Sequence, residues 1–149
     1  RISELPVKDE IFFIGSDIRR YILNDPDDFE KYIAAVVKYY SGRKINYIMH
    51  RKENENDEQR QYYKYLNEKY GIHFVIFDKI LEQQILHQGW IPCEVATFFS
   101  SAIDTLVVIY NPNATVFRLA SDDIREKSRF GYSEMLRHYA SMKVNVVEI

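Results

Sequence analysis

The sequence predicts an α/β fold, a doubly wound parallel sheet with helices on both faces. Short apolar runs and amphipathic stretches alternate along the whole chain, which is how strands joined by crossover helices read. The runs themselves, such as EIFFIG and VATFF, have the look of buried strands. Each of several runs ends in a polar cluster: Gly15-Ser16-Asp17, His50-Arg51-Lys52-Glu53, Asp78 and Ser100-Ser101. In open parallel sheets ligands bind outside the carboxyl ends of the strands, near the point where strand order reverses, so these clusters share one candidate edge.

The elements follow in order. Glu10 to Gly15 is the first strand, and its closing Gly permits close backbone approach. Asp25 is a good helix cap and Pro26 suits the first helical position. Phe29, Tyr32, Ile33, Val36, Val37 and Tyr40 then recur at helical spacing until Ser41-Gly42. Ile45 to Met49 is the second strand. Asn54 to Tyr70 is very polar, with Tyr62, Tyr63, Leu66 and Tyr70 as a narrow buried stripe of a surface helix. Phe74 to Phe77 is a third strand, and Lys79 to His87 an amphipathic helix stopped by Gly89 and the Pro92 region. Glu94 to Phe99 is the fourth strand, feeding a helix over Ser101–Ile109. A turn at Asn111-Pro112-Asn113 leads to a fifth strand, Thr115 to Leu119. After Ser121-Asp122-Asp123 a last helix runs from about Tyr132 to Met142, and Val144 to Ile149 is apolar and extended. The expected architecture is a Rossmann-like doubly wound sheet.

Bulk composition narrows the classes. A chain of 149 residues with 46% hydrophobic content fits one core, so residues 1–149 are expected to be a single domain. A net charge of −2 argues against a general nucleic-acid binder. The single cysteine, Cys93, excludes an internal disulfide and a four-cysteine zinc site and fits a reducing compartment. No apolar run approaches the roughly 18–20 residues of a membrane span, and no signal peptide is visible. The expectation is a cytoplasmic chain that could sit peripherally at the inner membrane. It opens on Arg1 rather than Met, which suggests a fragment of a longer protein.

Several residues could carry chemistry, each beside an ordinary structural role. Ser100 and Ser101 open a helix, where unpaired N–H groups and the helix dipole favour phosphate; Ser100 could equally be a plain cap. His50, beside Arg51 and Lys52, could contact a phosphate and give it a proton, or cap a solvated loop. Cation and helix start would then form a clamp that needs no metal. Asp17, just past Gly15 and Ser16, is the best-placed base, or a turn cap. Asp78 could hold a ribose or base edge, or cap the next helix. His73, His87 and His138 are too scattered for zinc, and Cys93 reads as a buried small side chain. There is no Gly-rich dinucleotide fingerprint and no P-loop, so neither a nicotinamide cofactor nor ATP is indicated. The many tyrosines read as helix-face packing, and their number would also suit an interdomain contact or a homodimer.

Three pieces of the chain carry a family resemblance: Ile11-Phe12-Phe13-Ile14-Gly15-Ser16 followed by a helix, the run from Ile45 through His50 to Glu53, and Glu94 to Ala102 with its paired serines. Together, across roughly Glu10 to Leu119, the chain resembles the carboxyl-terminal nucleotide-binding half of a bacterial sialyltransferase of glycosyltransferase family 52, with the bacterial polysialyltransferases next. The resemblance implies one half of a two-Rossmann-domain (GT-B) enzyme that uses CMP-sialic acid without a metal or other cofactor. It implies a glycan acceptor of lipooligosaccharide or capsule, and an amino-terminal acceptor domain absent from this chain. Carried over by position, His50 would contact the CMP phosphate and act as acid toward the leaving group. Ser100 and Ser101 would bind that phosphate, Asp17 would be the acceptor base, and Asp78 would lie near the cytidine. Gly15, Ser16 and Arg51 would complete the donor contacts. Two other readings stay open: a non-catalytic nucleotide- or protein-binding module of the same fold, and a transferase for another nucleotide sugar.

Overall fold

The structure, a computed structural model, describes residues 2–110 and 113–149. Six strands form one parallel sheet: β1 Val7–Ile14, β2 Lys44–Ile48, β3 His73–Val75, β4 Ile91–Thr97, β5 Asn113–Arg118 and β6 Asn145–Glu148. Their order is β3-β2-β1-β4-β5-β6. The chain therefore walks outward from β1 to β3, crosses back to lie beside β1, and walks outward again. This is the strand order of the Rossmann-like doubly wound fold, with its reversal between β1 and β4. One row of partners, Val75, Ile48, Ile14, Thr97 and Val116, runs straight across the sheet near its carboxyl edge.

The helices are α1 Ile18–Tyr21, α2 Asp28–Tyr39, α3 Asp57–Tyr70, α4 Leu81–Gln88, α5 Ala102–Tyr110 and α6 Glu126–Ser141. Successive side chains of a strand point to opposite faces, and the central strands are apolar on both. Phe13, Tyr47, Phe98 and Phe117 join α2 and α3 in one core, while Phe12, Ile14, Val95 and Val116 join residues of α4 and α5 in the other. Helix α6 serves both, through Tyr132 and Tyr139. No helix among the described residues is long and apolar enough to cross a membrane.

The boundaries differ from the sequence reading in instructive ways. Pro92 lies inside β4, although proline cannot donate to a ladder. It is accommodated near the strand's start, opposite Lys8, where the β1–β4 register shifts before Ile11 meets Glu94. Asp25 does not cap α2 and Pro26 does not open it. The Asp25 carboxylate instead accepts from the Asp27 amide at 2.9 Å, forming a turn that delays the helix to Asp28. The third strand ends at Val75, not Phe77, and the next helix waits until Leu81. The last helix begins six residues before Tyr132, at Glu126, and the apolar tail supplies β6. Asn111 and Pro112 of the expected turn lie outside the described residues.

Candidate functional site

The loops after β1, β2 and β4 meet where strand order reverses. Thr97 closes the floor between the two diverging strands. Its buried hydroxyl donates to Ile14 O at 2.7 Å and accepts from Phe99 N at 3.1 Å. Neighbouring strands lie about 4.8 Å apart, so the ends of β2 and β4, with β1 between them, are separated by roughly 10 Å. His50 and the serine pair thus lie along the same edge, one on each side of β1.

Gly15 continues the β1 ladder, donating to Ile48 O at 2.9 Å. A Cβ there would fall onto Glu53 Oε1 and within 2.5 Å of Tyr47 Cε1. The close approach anticipated from the sequence is therefore made by side chains of the β2 strand and its loop. Ser16 is half-buried, and its hydroxyl has no hydrogen-bond partner among the described residues.

Asp17 adopts a left-handed backbone, φ 55°, which costs any residue but glycine some strain and which aspartate tolerates better than most. Its side chain is 1% exposed. Oδ2 receives Arg20 Nε at 2.8 Å and pairs with Arg20 Nη2 at 2.7 Å, while Oδ1 is buried without a partner. Arg20 goes on to donate to Lys52 O at 2.8 Å and to pair with Glu55 at 2.8 Å; these acids raise its pKa further. Asp17 thus ties the β1 loop to the β2 loop. The general-base role expected of it needs a carboxylate that an acceptor hydroxyl can reach, and this one faces inward.

His50 is exposed and caps a short 3₁₀ turn over Arg51–Asn54. Its Nδ1 accepts from Lys52 N at 3.2 Å. In the neutral ring that bond assigns the proton to Nε2 and leaves it as the free donor. Arg51 is exposed with no ion-pair partner among the described residues. Lys52 lies 4.8 Å from the centre of the half-exposed Tyr21 ring. The turn is built over a group the sequence reading left without a role. Glu53 is 0% exposed; Oε1 accepts the His50 amide at 2.9 Å, and Oε2 accepts from Tyr47 Oη at 2.6 Å and Tyr63 Oη at 2.5 Å. Burial pushes its pKa up to about 7 against the pull of those three bonds, and the nearby Asp17 pushes the same way. Desolvation and the same carboxylate hold both tyrosines well above their ordinary range. The spacing of His50 and Glu53 is that of a capping box, the one signal in the sequence that could have found this acid.

The β4 loop is held differently. Tyr139 of α6 donates to Ser100 O through a very short bond and accepts from Ser100 N at 3.3 Å. Ser100 Oγ accepts from Ala102 N at 3.2 Å, so it caps α5 and keeps its own proton free to donate. Ser101 is exposed, and its carbonyl accepts from Asp104 N at 3.1 Å as the helix begins. No family model, no curated protein and no solved structure matches this chain.

Asp78 lies three residues past the end of the edge strand β3, next to Phe77, whose ring packs on Phe12 of β1, and its side chain is 84% exposed, 3.5 Å from Lys79. It does not cap a helix there, since α4 starts at Leu81. Among the described residues no three His, Cys, Asp or Glu side chains gather as metal ligands would. A groove of about 450 Å³ opens beside the β2 loop, along β3 and α3, lined by Met49, Asn54, Tyr63, Lys64, His73 and Phe74.

Proposed function

We propose that the chain is the donor-binding half of a bacterial sialyltransferase of GT-B architecture, holding CMP-sialic acid at the β1–β4 reversal. The fold supports a nucleotide ligand at that edge on physical grounds, and the motif resemblance narrows it to a cytidine nucleotide. The single observation that carries the reading is the shared edge. An exposed imidazole with a free Nε2 stands on one side of the β1 end, and two serines at a helix start stand on the other.

In this reading the α5 N-terminus, with the Ser100 and Ser101 hydroxyls, binds the CMP phosphate. His50, neutral and carrying its proton on Nε2, donates that hydrogen to the phosphate and passes the proton over as the phosphate departs. The sugar carbon passes through an oxocarbenium-like state, so stabilising the leaving phosphate is the main task of these groups. Ser16 and Arg51 lie on the same edge and supply further donors. Asp17, through Arg20, anchors the β1 loop to the β2 loop.

Titration calorimetry with CMP, UMP and CDP tests the proposal. A cytidine preference is expected, weakened at least tenfold, about 1.4 kcal/mol, by His50→Ala or by the double change Ser100→Ala, Ser101→Ala. A preference for UMP would point to another nucleotide sugar. Absence of both heat and thermal shift with CMP would overturn the reading in favour of a non-catalytic module. That second reading draws on the Ser100 hydroxyl, which already serves as a helix cap.

A further inference from the structure

Glu53 is fully buried, yet it lies three residues from the exposed His50 and directly holds its amide. Three donors from three places converge on this one side chain: the His50 backbone, Tyr47 of β2 and Tyr63 of α3. Gly15 leaves the space it occupies. The turn above it is also pinned from outside, by Lys52 N on His50 Nδ1 and by Arg20 on Lys52 O. A capping box on a solvated turn needs no buried acid, and an uncharged side chain could fill the same role without losing hydration. Here the acid is in the core, with the imidazole at the surface above it.

We propose that Glu53 is the positioning residue for His50: by accepting the His50 amide, its carboxylate sets the pose of the imidazole at the edge between β1 and β2. The inference rests on the nucleotide-binding reading for its purpose, though not for its geometry. An ionised carboxylate accepts all three donors. Once protonated, one oxygen becomes a donor itself and the three-way arrangement has to rearrange. The charged and titratable groups that face it are Asp17 of the β1 loop, neutralised by Arg20, Tyr47 of β2, Tyr63 of α3 with Arg19 of α1 acting on it, and His50 of its own turn. No cation among the described residues bonds to Glu53 directly, so the state of this carboxyl is communicated to the turn through the His50 amide.

The test compares Glu53→Gln and Glu53→Ala with the parent chain. In ligand-free protein, the Glu53 side-chain carbon and the His50 ring carbons are followed by NMR between pH 5 and pH 9. A component of the His50 ring shift should share the Glu53 midpoint and disappear in Glu53→Gln, with the fold intact by the rest of the spectrum. For CMP, Glu53→Ala should lose about tenfold in affinity even well below its melting temperature. Glu53→Gln should recover most of that loss while flattening the dependence of affinity on pH. A purely structural Glu53 would lower the melting temperature and move neither readout. The proposal is overturned if the His50 ring titrates identically in parent and Glu53→Gln. If the parent shows the linked titration but no CMP heat, the sialyltransferase reading fails and the positioning role stands.

Discussion

The two loops that flank β1 reach the same edge by opposite means. The β4 loop is held by neutral groups: the Thr97 and Tyr139 hydroxyls and the Phe98 ring, which packs against Phe13, Phe29 and Tyr32. The β2 loop is held by an acid carried into the core. Its partners are hydroxyls and an amide, and a second buried acid, Asp17, stands close by with its own arginine. Neutral hydroxyls and rings hold their shape at any ordinary pH. A buried carboxyl does not, because burial disfavours its charged form and leaves the balance to hydrogen bonds. The lesson is that loops of similar position, each displaying a polar group on its exposed side, can respond differently to the same change of conditions.

The contrast can be broken or sharpened by measurement. The largest effect is expected from Phe98→Ala, which should cost about 4 kcal/mol in urea unfolding, equally at pH 6 and pH 8, by emptying a fully packed site. Next comes the pH dependence of the β2 loop. Folded Glu53 keeps its proton to about pH 7, while the unfolded chain releases it near the ordinary value of 4.5. The folded state therefore binds more protons between those values, and stability falls as pH rises through that window and levels off above it. The loss is of the order of 3 kcal/mol for this side chain, and Glu53→Gln should abolish it. Equal slopes in parent and variant would remove the acid from the account.

Gly15→Ala should destabilise by about 2 kcal/mol, because the added methyl overlaps Glu53 and Tyr47 in a packed region. Chemical denaturation would show it, and a neutral result would mean the β2 loop yields more easily than its packing implies. The smallest effect belongs to Tyr139→Phe, about 1 kcal/mol from the bonds to the Ser100 backbone. Its melting temperature should drop by the same amount from pH 5 to pH 8. A pH-dependent drop would erase the distinction between the loops.

Much of the fold was legible because strands and helices announce themselves locally. EIFFIG read as a strand since both its faces are covered, and Phe29, Tyr32, Ile33 and Val36 named the buried face of α2 directly. Pro92 misled the reading of β4, since only the partner strand supplies the register shift that tolerates it. Asp25 and Pro26 misled the start of α2, because a side-chain turn competed with the cap. Among the site residues, His50, Ser100 and Ser101 were visible as polar groups ending apolar runs. Asp17 was visible too, but not its burial: that depends on Arg20, whose other bonds go to a loop more than thirty positions away. Glu53 looked like one more charge in a solvated cluster.

The sequence by itself determined that strands and helices alternate and that polar groups follow the strand ends, because hydropathy period and turn chemistry are properties of neighbours along the chain. Which strand lies beside which, and so which of those polar groups share an edge with the reversal, was decided only in three dimensions. So was the fate of each charge. Whether a carboxylate is hydrated or enclosed is set by Tyr63, Tyr47 and Gly15 arriving from three different segments, and burial is a sum over contacts that no local pattern contains.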